Sequence, residues 1–80
     1  MADGWTEEEW RWLAEVGLRV RSARVRLRLS QDELGHRTAV TRVTIGSIER
    51  GDHPAAVVSY RRIVAALGLP LEQLLAEVEE

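Results

Sequence analysis

Apolar residues recur every three or four positions along nearly all of this 80-residue chain, and nowhere do they alternate as a half-buried strand requires. That period leaves helices as the only regular structure, and an all-α class follows. The first helix starts near Thr6, where Thr6 and Glu9 have the spacing of a capping box. Its inward stripe reads Trp10, Leu13, Gly17, Val20, Arg24 and Leu27. Ser30 caps a second helix, with Glu33 at the reciprocal position and Leu34 as anchor. Thr41 caps a third, with Val40 and Ile45 spaced as a hydrophobic staple. A fourth follows Pro54 and is expected to bury Val57, Tyr60, Ile63, Val64 and Leu67 before Gly68 ends it. Pro70 opens a fifth, with Leu71, Leu74, Leu75 and Val78 inward.

The joint between helices two and three is the tightest. From Arg37 to Thr41 there is room for only a few non-helical residues, which forces a sharp crossing rather than an antiparallel hairpin. Gly35, without a side chain, allows the third helix to come close to the second.

Composition removes several functions. Without cysteine there is no disulfide framework and no thiolate metal site, and His36 and His53 are too isolated to hold a metal. No cofactor is expected. No apolar run approaches the roughly 20 residues that span a bilayer, so no membrane role and a cytoplasmic location are expected. No serine, histidine and acid fall into a nucleophile–base arrangement, and no glycine loop cradles phosphate, so an enzyme is not expected. The net charge of −2 hides a pattern. Both ends are acidic, whereas ten arginines between Arg19 and Arg62 face only Asp32, Glu33, Glu49 and Asp52. An acidic-ended chain with a basic middle has a side for anions.

The runs L-S-Q-D-E-L-G (Leu29 to Gly35), A-V-T (Ala39 to Thr41) and I-x-x-I-E-R-G (Ile45 to Gly51) resemble the helix-turn-helix of the Cro/lambda-repressor-like, or xenobiotic-response-element, family of transcriptional regulators. The likeness extends over roughly Val16 to Leu75. It implies a compact five-helix lambda-repressor-like DNA-binding domain over residues 16–80, its helix-turn-helix at about 31–50. Residues 1–15 would be a Trp-rich acidic extension of helix one.

By that resemblance, Gln31 lies against DNA backbone and base edges. Thr41, Arg42, Val43 and Thr44 open the recognition helix, Ser47 follows one turn on, and Arg50 lies near phosphates. Glu49 resembles a buried acid paired with Arg24. Helical geometry agrees on the faces: with Ile45 at zero, Glu49 falls at about 40°, while Val43, Ser47 and Arg50 cluster between about 140° and 200°. Two glycines usual in the family are replaced by Arg28 and Ala39, and a left-handed backbone there would cost roughly 1–2 kcal/mol. Arg28, beside helix two, is a further candidate phosphate contact.

The expected function is sequence-specific regulation of transcription, as a repressor and homodimer on a palindromic double-stranded DNA operator, by a bacterial or phage protein that is cytoplasmic and nucleoid-associated. A protein-interaction module, antitoxin-like or polymerase-associated, is the alternative. For it, or for a dimer, the candidate surface is Trp5 and Trp12 with Leu18 and Val25, each pair seven residues apart; the other reading of the two tryptophans is that they fold back over helix five and cap the core.

Overall fold

Residues 4–78 are described in the structure, a computed structural model. The described residues form five helices, in order α1 (Glu7–Arg26), α2 (Gln31–Thr38), α3 (Arg42–Arg50), α4 (Val57–Leu67) and α5 (Leu71–Leu74). Residues 1–3 and 79–80, the outer ends of the two expected segments, lie outside the described residues.

The helix starts are where the caps place them. Thr6 accepts from the Glu9 amide while Glu9 accepts from the Thr6 amide, and Ser30 and Glu33 repeat the exchange. The Ser30 amide hydrogen bond holds the Glu33 carboxyl below its ordinary range. Gly68, at φ 73°, ends α4 in the left-handed region.

One core joins all five helices. Val16, Val20 and Ala23 of α1 meet Leu34 of α2, Ile45 and Ile48 of α3, Tyr60, Ile63, Val64 and Leu67 of α4, and Leu74 of α5. Leu34, Ile45, Ile63 and Leu74 are wholly buried, each contributing about 1.5–3 kcal/mol. α1 packs most extensively on α3. Gly17 permits this, because a Cβ there would collide with the backbone carbonyls of Ile48 and Glu49. Closeness here brings Arg24 to Glu49.

The inward stripe of α1 differs from the expected one. It runs through Leu13, Val16, Gly17, Val20 and Ala23, shifted toward the side that α5 covers. Trp12 lies on that flank: it packs against the core, and its indole donates to the Leu75 carbonyl at 3.2 Å. Trp10 instead meets Trp5, with ring centroids 5.0 Å apart. The expected Trp5–Trp12 surface therefore does not form, since the two rings have different neighbours. Leu27 is the exposed residue capping α1, Val57 opens α4 facing outward, and Val78 lies beyond a one-turn α5. All three were expected inside.

Arg19, the first of the ten arginines of the basic middle, is turned to the protein itself. Its guanidinium donates to the carbonyls of Leu74 at 2.8 Å and Ala76 at 2.6 Å, closing the end of α5. No basic residue stands in the last turn of α5 itself, and that missing cap was the available signal.

Candidate nucleic-acid interface

α2, a two-residue bend, the Thr41 cap and α3 form a rigid corner. The Thr38 hydroxyl donates to the Leu34 carbonyl at 2.8 Å and accepts from the Val40 amide at 3.2 Å, closing α2. Ala39 then turns the chain at φ 59°, in the left-handed region that an alanine enters at a cost. Gly35 makes room, since a Cβ on it would sit 2.7 Å from the Val40 carbonyl oxygen. Thr41 caps α3 by accepting from the Thr44 amide at 3.1 Å. At the far end Gly51, φ 69°, donates to Ile48 and the Asp52 amide donates to Ser47, the paired bonds of a Schellman motif.

The inner face of α3 is pinned by a salt bridge as well as by Ile45 and Ile48. Arg24 donates through Nε to Glu49 Oε2 at 2.6 Å and through Nη2 to Oε1 at 3.0 Å. Gln31 Nε2 adds a bond to Oε1 at 3.2 Å, and Arg24 Nη1 donates to the Leu29 carbonyl at 2.7 Å. Hydrogen bonding to Glu49 raises the Arg24 pKa above its ordinary value. The charges are nearly sealed, with side-chain exposures of 11% and 4%, and their hydrogen bonds compensate the desolvation.

The outer face is different. Val43 is 79% exposed, an isolated methyl-bearing side chain at the front of the helix. Thr41, Arg42 and Arg50 are exposed beside it, and Thr44 and Ser47 are half-buried. Each arginine stands near an acid: Arg42 Nε is 3.8 Å from Asp32, and Arg50 Nε donates to Asp52 at 2.6 Å. Asp52, one of the four acids set among the arginines of the basic middle, thus holds Arg50.

The remaining candidates lie elsewhere. Gln31 is half-buried, with its amide turned to Glu49. Arg28 is exposed at φ 60°, in the turn that leads to α2. Leu18 and Val25 project from the α1 face turned away from the core, at 51% and 55% exposure. Among the described residues no cluster of acids and histidines could hold a metal, and no helix is long and apolar enough to cross a membrane.

A sharp helix pair whose second member keeps a small, mixed outer face while its inner face is pinned defines a helix-turn-helix protein. Comparison with known proteins names the group. Residues 15–78 match the family described as the helix-turn-helix domain, and the chain belongs to that family of DNA-binding transcriptional regulators. It is 32% identical over 62 residues to an uncharacterised HTH-type transcriptional regulator, YgzD, of Bacillus subtilis, covering 78% of this chain and 94% of that protein. Among solved structures it resembles the restriction-modification controller protein C.AhdI of Aeromonas hydrophila. The TM-score is 0.73 at 29% identity, over 78% of this chain and 94% of the other.

Proposed function

We propose that the chain is a repressor that acts by occupying a palindromic operator as a homodimer, laying residues 42–50 in the major groove. The observation that carries this is the division of α3: Val43, Arg42 and Arg50 face solvent while Glu49 and both isoleucines face inward. The major groove, about 12 Å wide, admits a helix. Arginine suits a guanine edge, and a valine methyl suits that of thymine. Thr41, Thr44, Ser47, Gln31 and Arg28 supply the flanking polar and phosphate contacts in this reading. Residues 16–80 are the DNA-binding unit and residues 1–15 its extension. Two-fold dimers of this class read half-sites about 34–36 Å apart.

The test is titration of pooled random duplexes at two salt concentrations, followed by anisotropy. Binding is expected at low salt and should weaken by nearly one log unit per log salt for each phosphate neutralised. Absence of binding at low salt, or no change in Arg42→Ala combined with Ser47→Ala, overturns the reading.

Exposed Leu18 and Val25 favour a second reading, in which this face of α1 binds another protein or a second copy. Trp12 no longer belongs to it. Mass measurement in solution decides the dimer: a strict monomer at high concentration removes the seam.

A further inference from the structure

Arg50 is held in place before any ligand arrives. The Schellman turn at Gly51 brings Asp52 back alongside α3, where its carboxylate takes Arg50 Nε at 2.6 Å. The guanidinium folds back over Gly46, with Nη1 3.2 Å from where a Cβ on that glycine would sit. The Gln31 amide, itself tied to Glu49, lies 3.8 Å from the same point. Yet the Arg50 side chain remains 63% exposed. Its Nη1 and Nη2 edge makes no hydrogen bond among the described residues, and that edge carries paired donors.

We infer that Asp52 is a specificity-determining residue, which positions Arg50 as a base reader and withholds it from phosphate; the inference rests on the DNA-binding reading above. A guanidinium neutralised by a touching carboxylate releases few counterions when it approaches the DNA backbone, so the pair adds little to sequence-independent affinity. A guanine edge asks for something else. Its O6 and N7 are two acceptors without net charge, matched to two guanidinium donors, and they can engage Nη1 and Nη2 while Asp52 keeps Nε. Because the side chain is already oriented, ordering it on binding costs less entropy. Arg42 is the contrast: its distance to Asp32 is 3.8 Å, outside hydrogen-bond reach, with side chains 66% and 71% exposed, so salt screens that pair readily.

The experiment uses the full chain and two probes: the duplex it most enriches from a random pool, and a scrambled duplex of equal length. In Asp52→Ala, which removes the acceptor together with the charge, the released arginine should raise affinity for the scrambled duplex and steepen its salt slope by about one unit. The ratio of enriched to scrambled affinity should fall about tenfold. Arg50→Lys, which keeps charge but loses the planar fork, should lower enriched-duplex affinity and leave scrambled-duplex affinity near that of wild type. If Asp52→Ala raises both affinities equally with the ratio unchanged, Asp52 only repels DNA and the inference fails. It fails equally if Arg50→Lys binds both duplexes as wild type does. Failure of wild type to bind any duplex would instead overturn the DNA-binding reading.

Discussion

Arg24 and Arg50 each bring Nε to a carboxylate oxygen at 2.6 Å, on opposite faces of α3. Length does not distinguish them; surroundings do. Glu49 is sealed between α1, α2 and α3 and accepts from Arg24 twice and from Gln31 once. Asp52 stands in solvent at 44% side-chain exposure and holds one nitrogen of an exposed guanidinium. In the first place the low-polarity environment makes either charge costly without the other, so the pair governs whether α3 stays docked. In the second, water can replace the partner at little cost, and the pair governs only where a side chain points. One helix thus carries a structural ion pair and an orienting one.

Removing one carboxylate from each pair breaks the comparison most directly. Glu49→Ala leaves Arg24 partly buried without its counter-ion and should cost about 3 kcal/mol, or roughly 12–24 °C in Tm for a domain of this size. Asp52→Asn should move Tm by no more than about 0.5 kcal/mol equivalent, because surface pairs contribute little. Thermal melts of both variants beside wild type check this. Similar losses in the two would show that exposure does not separate the pairs.

A second variant sharpens the separation from the other direction. Ala39 occupies the left-handed region at the corner before α3, and Ala39→Gly should relieve about 1 kcal/mol of strain. Tm should rise by roughly 4–8 °C, measured by circular dichroism. Since Ala39 points away from the core and reaches neither arginine pair, affinity for an enriched duplex should not change. An affinity change matching the stability gain would tie the outer face to the fold after all.

The same contrast explains which parts of the molecule could be read from the chain. Helix starts are local: Thr6 with Glu9 and Ser30 with Glu33 are three residues apart, so their spacing alone marks the caps. The inward turn of Glu49 follows from its angular distance to Ile45, again within one helix. What escaped depended on where a distant segment docks. α5 approaches the Val16–Ala23 side of α1, which draws in Trp12 and Arg19 and leaves Trp10 to Trp5. No periodicity within α1 encodes the position of α5. Val57 escaped for a simpler reason, as the first residue of its helix lies outside the packed turns. The Arg50–Asp52 contact is close in sequence, yet it needs the backbone reversal at Gly51 and the open space over Gly46 to form.

The smallest expected effect concerns the cap of α2, the helix against which α3 rests. Glu33 accepts from the Ser30 amide, and that bond lowers its pKa from the ordinary 4.5. A carboxyl with a depressed folded-state pKa contributes stability above its unfolded value and loses it as the pH falls through the folded value. Glu33→Gln keeps an acceptor at the same reach but removes the titration. Wild type should therefore be the more stable at neutral pH, and the difference should shrink as the pH falls below 4.5. Melts of the two proteins from neutral pH into acid would show the gap closing. A gap constant with pH would mean that the carboxylate charge at Glu33 contributes nothing beyond its hydrogen bond, and α2 would then present α3 by packing alone.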